Sequence, residues 1–268
     1  MGAGLKGHVA IVTGASAGTG RGYALALAAE GATVVACART LGKVGGQPAR
    51  NTLAEVVKAA EGLPGRVYAQ VCDLQVEADI NRVTEEAVAN FGRIDILVNN
   101  AGIYPHFPTL DISVAEWDMN FGVNVRAPYL MSRAVAPHMI RQGGGSIVNI
   151  TSLSAIFTNK GHPGHEDLLM YCVTKAALNR MTTFLAEDWK AHGIAVNSLS
   201  PGFVETDTFA GIDPVAVANA KAGGFIKPPT PDAVGPALVY LAGQRADGIT
   251  GQTLHTDEYR KSWPAAAT

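Results

Sequence analysis

Tyr171 and Lys175 form the residue pair in this sequence best suited to moving a proton. They are four residues apart in a segment with helical periodicity, which places both side chains on one helix face. A free phenol, with a pKa of about 10, exchanges protons poorly at neutral pH. A lysine ammonium within about 4 to 6 Å favours the phenolate and lowers that pKa. The pair therefore suggests a general acid and base for an alcohol or a carbonyl, although the same spacing also occurs on many solvated helix faces.

Ser152 and Asn124 are polar residues at positions where a partner is required. Ser152 stands just beyond the apolar run 146–150, where its hydroxyl can hold a substrate oxygen or cap a turn. Asn124 lies inside a segment predicted to be helical, which is unfavourable for asparagine unless its amide has a partner. We expect Asn124 to hold a water molecule beside Lys175, and this water would connect the phenol of Tyr171 to solvent.

A glycine-rich turn follows the first apolar run, which starts at Val9. Its glycines are Gly14, Gly18 and Gly20, and a helix-like segment from Arg21 to Glu30 comes next. Glycine lets the backbone bend tightly and approach a pyrophosphate without a Cβ in the way. The following helix offers unpaired N–H groups and the positive end of its dipole. The order of strand, turn and helix predicts a dinucleotide-phosphate site, with an ordinary tight turn as the alternative.

Basic residues follow the second predicted strand. That strand ends at Arg39, about 20 residues beyond the turn, where an acidic residue would bind a free ribose 2′-hydroxyl. Residues 31–54 contain no Asp or Glu, but they contain Arg39, Lys43 and Arg50. A guanidinium can bind a 2′-phosphate through two hydrogen bonds, whereas a carboxylate would repel it. This pattern favours NADP(H) over NAD(H), unless Arg39 is only a solvated loop charge.

Further polar and small residues follow the next two predicted strands. Asp73 comes directly after strand Val67–Cys72, where it can cap a helix, accept a hydrogen bond from an adenine amino group, or do both. Asn99-Asn100-Ala101-Gly102 closes the following strand at the same edge of the sheet. Small residues there let the backbone approach a ligand.

Alternating strand and helix patterns along the chain would position all of these residues. The predicted strands are the run from Val9, Ala32–Ala38, Arg66–Cys72, Ile94–Asn99, Ser146–Ile150, Ile194–Ser198 and Gln252–His255. The predicted helices are Arg21–Glu30, Thr52–Glu61, Glu77–Phe91, Ser113–Gln142, Asp167–His192 and Pro231–Ala242. This alternation predicts one α/β domain over residues 1–268, with a doubly wound, mostly parallel seven-stranded sheet and helices on both faces. Segments 151–169 and 202–230 interrupt the alternation after strand ends, so we expect them to be substrate loops.

Composition and charge exclude several classes of protein. The 268 residues are 47% hydrophobic and 16% charged, with a formal net charge of −2. The sequence lacks the excess of basic residues that would indicate nucleic-acid binding. It also lacks a run of 18 apolar residues that would indicate a membrane span. The first strand begins almost at once, so we expect no secretory signal and a cytoplasmic location. Cys37, Cys72 and Cys172 are widely spaced, which predicts reduced thiols rather than disulfides or a zinc site.

These motifs occur together in the order found in the short-chain dehydrogenases/reductases. They are Thr13-Gly14-x3-Gly18-x-Gly20, Asn99-Asn100-Ala101-Gly102, Asn124, Ser152, Tyr171-x3-Lys175 and Pro201-Gly202. The chain resembles that family from about Leu5 to Asp257. The resemblance implies a Rossmann-like fold, a nicotinamide cofactor, and hydride transfer between a carbonyl and a secondary alcohol.

The same likeness implies a role for each site residue. Tyr171 would be the general acid and base, and Lys175 would lower its pKa and bind the nicotinamide ribose. Ser152 would orient the substrate carbonyl, and Asn124 would support a water relay. Arg39 resembles the 2′-phosphate contact of NADP-dependent members. The implied cofactor contacts are Gly14, Ser16, Gly18, Thr19, Gly20, Arg39, Asp73, Leu74, Asn100, Ala101, Gly102, Tyr171, Lys175, Pro201, Gly202, Val204 and, at the carboxamide, Thr206.

The sequence also departs from the family pattern. Thr19 replaces the usual isoleucine at a position that mainly presents backbone, and Thr256-Asp257-Glu258-Tyr259 replaces the usual Asp-Gly-Gly. The interval from Ser152 to Tyr171 is 19 residues, about six more than usual. The extra length falls in residues 158–167, which include His162, His165 and Glu166. We expect a solvated loop there, with a polar rim of the substrate mouth or a metal site as alternatives.

The leading interpretation is an NADP(H)-dependent carbonyl reductase or alcohol dehydrogenase. Apolar and aromatic residues in segments 103–107, 153–157 and 203–225 favour a hydrophobic substrate. The alternatives are a nucleotide-binding regulatory protein without turnover, an NAD(H)-dependent alcohol dehydrogenase, and an enzyme that uses the cofactor for epimerisation or dehydration. Helices 113–142 and 167–192 carry more apolar surface than one sheet face can cover, so we also predict a homodimer or homotetramer.

Overall fold

The computed structural model describes residues 4–44, 47–48, 51–156, 167–205, 218 and 226–264. Seven parallel strands form one sheet in the spatial order β3-β2-β1-β4-β5-β6-β7. The strands are β1 Val9–Thr13, β2 Thr33–Ala38, β3 Arg66–Val71, β4 Ile96–Asn99, β5 Gly145–Ile150, β6 Ile194–Ser200 and β7 Thr253–His255. The predicted doubly wound parallel sheet is confirmed. The strand order reverses between β1 and β4, and open sheets of this kind bind ligands beyond the carboxyl ends of such strands.

Helices cover both faces of the sheet. They are α1 Gly18–Ala29, α2 Leu53–Ala59, α3 Glu77–Phe91, α4 Val114–Phe121, α5 Ala127–Arg141, α6 Leu169–Trp189 and α7 Pro231–Ala242. A small antiparallel pair of Lys43–Val44 and Gln47–Pro48, which the sequence did not predict, lies between β2 and α2. None of the helices in the described ranges is both long and apolar enough to cross a membrane.

Side-chain alternation along the buried strands divides the core in two. In β1, Ala10 and Val12 belong to the cluster that includes residues of α1, α2 and α7. Ile11 belongs to the cluster on the opposite face, with residues of α3, α5 and α6. A parallel sheet buried on both faces requires apolar side chains in both directions, so its strands read as continuous apolar runs. The three cysteines, Cys37, Cys72 and Cys172, are free thiols, as expected.

The predicted bounds of α3 and α7 are confirmed at both ends. Helix α3 stops at Gly92, which has a φ of +77° and so adopts the left-handed conformation that ends many helices. Helix α7 starts with Pro231, whose fixed φ suits a first helical turn and whose missing N–H is not needed there.

The predicted helix Ser113–Gln142 is not one α-helix. Ser113 and Glu116 form a capping box at the start of α4. A single π-helical turn, Gly122–Arg126, then separates α4 from α5 and contains Asn124. The predicted helical stretch is therefore confirmed, but it includes a π turn that the sequence did not predict, because such a turn changes the hydrogen-bond spacing without interrupting the helical backbone.

Asp95 joins β1 to β4 at the amino ends of the strands, away from the carboxyl edge. Its side chain is fully buried, and its Oδ2 accepts a hydrogen bond of 2.9 Å from the Val9 N–H. Arg93 binds the same carboxylate through two hydrogen bonds of 2.8 and 2.6 Å. A buried carboxylate is tolerated in this position because these donors replace its water shell.

A second buried polar group, which we call the polar rung, crosses three central strands. It consists of Asn99, Asn149, Thr182 and Ser198. The Asn99 amide donates to Asn149 Oδ1 at 2.8 Å, and the Asn149 amide donates to Thr182 Oγ1 at 2.9 Å. The hydroxyls of Thr182 and Ser198 are 2.7 Å apart. The polar rung therefore fastens β4, β5 and β6 to helix α6.

Candidate active site

Helix α6 brings Tyr171 and Lys175 to the carboxyl edge of the sheet. The Lys175 Nζ lies 5.6 Å from the centroid of the Tyr171 ring, so both side chains share one helix face as predicted. Lys175 is only 4% exposed, and its Nζ donates a hydrogen bond of 2.8 Å to the Ile150 carbonyl at the end of β5. This bond holds the lysine against the strand that precedes Ser152.

Burial dominates the ionisation of both residues. It raises the pKa of Tyr171 to about 12, and the hydrogen bond with the Ser152 side chain lowers this pKa by less than burial raises it. Burial also lowers the pKa of Lys175 to about 8, because desolvation disfavours the ammonium form. The expected phenol pKa close to neutrality is therefore not produced by the groups of the protein alone.

Ser152 takes the capping role that its position allowed, and its hydroxyl also contacts Tyr171. Its Oγ accepts a hydrogen bond of 3.1 Å from the Ser154 N–H and so caps the 3₁₀ turn Leu153–Ala155. The same hydroxyl is hydrogen-bonded to the Tyr171 side chain. The cap fixes the Ser152 hydroxyl beside the Tyr171 phenol.

The Asn124 side chain is fully engaged by protein groups. Its Nδ2 lies 2.7 Å from the Ile103 carbonyl, 3.0 Å from Asn120 Oδ1 and 3.1 Å from Thr174 Oγ1. Its Oδ1 accepts a hydrogen bond of 2.8 Å from the Ile103 N–H. This amide fastens the loop after β4 to the π turn and to α6, so it has the partners that an asparagine inside a helical segment was expected to need.

The glycine turn has the shape and the donors of a phosphate cradle. Gly14 and Gly18 have φ values of +63° and +51°. A Cβ at Gly14 would stand 2.8 Å from the Ala101 Cα, and one at Gly20 would overlap the Gly14 carbonyl oxygen. Helix α1 begins at Gly18 without a side-chain cap and without an acidic residue in its first turn. Its N-terminal N–H groups and dipole therefore fit a dinucleotide pyrophosphate, and Ser16 lies in the same turn.

Asn100 ties this turn to the end of β4. Its Nδ2 donates to the Thr13 carbonyl at 3.0 Å, and its Oδ1 accepts from the Thr19 hydroxyl at 2.8 Å. Thr19 thus contributes its side chain as well as the backbone that the sequence suggested. Thr13, which the sequence analysis quoted in the glycine motif without assigning it a role, accepts from the N–H groups of Asn100 and Ala101 at 3.0 and 3.1 Å. A hydroxyl at the end of a buried strand was the signal that could have identified it.

Arg39 is exposed at the carboxyl end of β2, next to the glycine turn. The two segments are in contact because the Ala15 N–H donates to the Cys37 carbonyl at 3.0 Å. The side chain of Lys43 and all of Arg50 lie outside the described residues. An exposed guanidinium at this place is a candidate partner for a phosphate on the ribose of a dinucleotide.

Asp73 forms a turn after β3 and does not cap α3 directly. Its Oδ1 accepts a hydrogen bond of 3.0 Å from the Gln75 N–H, while the N-cap residue of α3 is Val76. Leu74 is half-buried and packs against the core cluster on the α3 side of the sheet. Both predicted cofactor residues therefore lie at the carboxyl edge.

Gly102 faces Lys175 and Asn124 from the loop after β4. A Cβ at this position would lie 3.4 Å from both Asn124 Oδ1 and Lys175 Nζ. Ala101 and Gly102 thus place small residues between the glycine turn and α6.

Pro201 and Gly202 follow β6 at the same edge. Gly202 has a φ of +76°, and a Cβ there would stand 2.8 Å from Asp257 Oδ2. Asp257 forms an ion pair with Lys227, whose backbone pairs with Val204. The structure thus brings the C-terminal segment, a departure from the family pattern, against the Pro-Gly motif.

Several predicted residues lie outside the described ranges, namely Thr206, His162, His165 and Glu166. The same is true of most of the two predicted substrate loops. Among the residues that are described, no group of three or more His, Cys, Asp or Glu side chains could hold a metal ion.

Comparison with known proteins gives consistent matches. A family model for short chain dehydrogenases matches residues 8–215. The chain is 34% identical over 257 residues to the 3-oxoacyl-(acyl-carrier-protein) reductase FabG of Thermotoga maritima, covering 94% of this chain and 97% of the relative.

Solved structures agree with these sequence matches. A short-chain type dehydrogenase/reductase from Mycobacterium marinum superposes with a TM-score of 0.80 at 30% identity, covering 94% of this chain and 95% of that one. A blue fluorescent protein from a metagenomic library, in complex with NADPH, superposes with a TM-score of 0.78 at 29% identity, covering 94% of this chain and 97% of that one.

Proposed function

Because the chain belongs to the short-chain dehydrogenase/reductase family, we propose that it transfers a hydride between NADP(H) and a carbonyl or secondary alcohol. The observation that carries this proposal is the meeting of Tyr171, Ser152 and Lys175 at the carboxyl edge, beside the glycine cradle. A phenol and a hydroxyl joined by a hydrogen bond can both address one substrate oxygen.

The proposed chemistry moves one proton together with one hydride. A bound nicotinamide supplies or accepts the hydride. During reduction, the Tyr171 hydroxyl donates its proton to the carbonyl oxygen while the carbonyl carbon gains the hydride, which yields a secondary alcohol. During oxidation, the Tyr171 oxygen takes the proton back from the alcohol. Ser152 donates a hydrogen bond to the same oxygen and orients it, while the Lys175 ammonium stabilises the phenolate.

The cofactor would lie along the carboxyl edge of the sheet. The turn with Gly14, Gly18 and Gly20 would hold the pyrophosphate, and Arg39 would pair with the 2′-phosphate. Asp73 and Leu74 would contact the adenine, and Lys175 the nicotinamide ribose. The remaining proposed contacts are Ser16, Thr19, Asn100, Ala101, Gly102, Tyr171, Pro201, Gly202, Val204 and Thr206. The bound NADPH of the metagenomic relative supports this choice of cofactor.

The substrate would be hydrophobic. Tyr104 packs edge-on against the Tyr171 ring, with centroids 5.6 Å apart. Ile156, which follows the 3₁₀ turn capped by Ser152, is 56% exposed. Large apolar side chains next to a catalytic phenol favour a ketone or secondary alcohol with apolar substituents.

Paired titrations of NADPH and NADH, followed by turnover of a panel of ketones, test the proposal. Tighter NADPH binding with consumption of one NADPH per ketone reduced would support it. Binding without turnover would favour the regulatory alternative, and product formation without net NADPH consumption would favour epimerisation or dehydration. Tighter NADH binding would show that the cofactor assignment is wrong.

Replacing Arg39 with alanine should weaken NADPH binding by about 10- to 100-fold, because hydrogen bonds to charged groups contribute about 1.5–3 kcal/mol. NADH lacks the 2′-phosphate, so its dissociation constant should change less than about threefold. Fluorescence titration measures both constants. Arg66→Ala is the matched control, because it removes an exposed arginine from the amino end of β3, away from the carboxyl ends of the strands. Equal losses for NADPH and NADH would contradict the proposed contact.

The proposed partner, besides the substrate, is a second copy of this chain. The outer surfaces of α4, α5 and α6 expose Met119, Tyr129 and Phe184 at 51%, 42% and 57%. Light scattering at micromolar concentration should therefore give a mass of two or four times 27.9 kDa. A monomeric mass would contradict this prediction.

A further inference from the structure

Asn120 is a buried amide on a helix that is otherwise largely exposed. Its side chain is 0% exposed, whereas Val114 and Met119 of the same helix are 77% and 51% exposed. Asn120 Nδ2 has no hydrogen-bond partner within the described part of the chain. A buried N–H without an acceptor lowers stability, so its presence in a native structure requires an explanation.

The oxygen of the same amide lies between two elements of the active site. Asn120 Oδ1 is 3.0 Å from Asn124 Nδ2 in the π turn and 3.4 Å from Thr174 Oγ1 in α6. The Thr174 hydroxyl has one hydrogen, which it shares between Asn120 Oδ1 and the Tyr171 carbonyl, 2.9 Å away. Asn120 therefore contacts α6 within one turn of the phenol.

Hydrogen-bond satisfaction alone does not require Asn120. Asn124 Nδ2 has two hydrogens and three neighbouring acceptors, which are Asn120 Oδ1, the Ile103 carbonyl and Thr174 Oγ1. An apolar residue at position 120 would leave two acceptors for the two hydrogens and would also remove the unpartnered Nδ2. Polar groups that reduce stability in this way occur mainly at functional sites.

We propose that Asn120 is a positioning residue whose amide oxygen holds Asn124 and Thr174 together, so that the first turn of α6 presents Tyr171 to Ser152. This inference rests on the proposed function, because it assigns Asn120 to the same proton-transfer site. Without Asn120, the π turn and α6 are joined only through the Asn124 amide. The hydrogen bond between Tyr171 and Ser152 then weakens, and the phenol loses a contact that lowers its pKa.

Asn120→Leu tests the proposal, with Asn90→Leu on the exposed face of α3 as the matched control. We expect the leucine variant to melt at the parent temperature or above, while its kcat falls by about tenfold. The KM for NADPH should stay within about twofold. The rise of kcat/KM with pH in the oxidation direction should move to higher pH, since a phenol with a raised pKa loses its proton later. An Asn120→Leu variant that keeps the parental kcat and pH profile would overturn the proposal, whatever its melting temperature.

A double-mutant cycle with Thr174→Val provides the second test. If Asn120 acts through Thr174, the double variant should be little worse than Thr174→Val alone. If the kcat of the double variant instead falls by the product of the two single-variant losses, the proposal is overturned. Asn120→Ala repeats the measurement should the leucine variant not fold.

Hydrogen exchange separates this inference from the proposed function. A peptide covering residues 169–178 should exchange at least about fivefold faster in Asn120→Leu, while a peptide from α3 should not change. This readout needs neither substrate nor cofactor. Absence of turnover in the parent protein would overturn the proposed function, and unchanged exchange at residues 169–178 would overturn the role of Asn120.

Discussion

Tyr171→Phe should lower kcat by about 10³-fold or more, since general acid and base catalysis contributes about 10²- to 10⁴-fold. The substitution removes one oxygen and keeps the ring that packs against Tyr104. Helix α6 also keeps its remaining contacts, among them the bond from Lys175 to the Ile150 carbonyl. Stopped-flow or steady-state absorbance of NADPH with the best ketone of the panel measures the loss.

Binding measurements show whether this loss concerns the chemical step. The dissociation constant for NADPH should change by less than about threefold, because the phenol contributes to proton transfer more than to cofactor affinity. Tyr68→Phe, which removes a half-exposed phenol on β3, should keep parental activity and serves as the control. Retention of more than about a tenth of the parental kcat in Tyr171→Phe would show that another group transfers the proton.

The pH dependence of the two directions should differ in sign. Reduction needs the protonated phenol, so its rate should fall as the pH rises through the pKa of Tyr171. Oxidation needs the phenolate, so its rate should rise through the same pKa. Burial raises this pKa to about 12, and the Ser152 hydrogen bond opposes the shift. Ser152→Ala should therefore move both the fall of the reduction rate and the rise of the oxidation rate to higher pH, in addition to weakening substrate orientation.

Asp95→Ala should reduce the free energy of unfolding by about 2–4 kcal/mol. Loss of one partner from a buried ion pair costs about 3–5 kcal/mol, but Arg93 is 48% exposed and regains water, which lowers the expected cost. The Val9 N–H also loses its acceptor, at a cost of about 1–3 kcal/mol. Urea denaturation at equal protomer concentration measures the difference.

Two comparisons decide whether this effect arises from the buried carboxylate. Asp95→Asn keeps an oxygen that can accept from Val9, so it should cost less than alanine. Asp188→Ala removes an exposed carboxylate from α6 and should stay within about 0.5 kcal/mol of the parent. A loss of less than about 0.5 kcal/mol for Asp95→Ala would mean that the arginine and the backbone compensate fully.

Sequence reasoning was most successful where local signals and burial agree. Helix α3 carries an apolar period and ends at a glycine, and α7 begins at a proline, so their bounds could be predicted. The π turn at Gly122–Arg126 could not, because one extra residue in a turn leaves no composition signal. The pair Lys43–Val44 and Gln47–Pro48 is too short for any alternation to show.

The members of the candidate site could be predicted better than their partners. The structure places Ser152 and Asn100 at the predicted edge of the sheet, because residues after parallel strands meet there. The bond from Lys175 to the Ile150 carbonyl joins residues 25 apart, and such pairs leave no spacing signal. Asn120 stands four residues before Asn124, a helical spacing that could have drawn attention to it. The raised pKa of Tyr171 depends on burial in three dimensions, which the residue types alone do not give.

The polar rung has a consequence for how the sheet assembles. Asn99, Asn149 and Ser198 are aligned across β4, β5 and β6, although they are about 50 residues apart in the chain. A shift of β5 by one residue relative to β4 would turn Asn149 toward the apolar cluster on the other face of the sheet, where its amide would lose its partners. A slip of two would place an aliphatic or a hydroxyl side chain opposite Asn99. Only the native alignment forms the hydrogen bonds from Asn99 to Asn149 and from Asn149 to Thr182, so misregistered sheets are disfavoured while these distant strands pair.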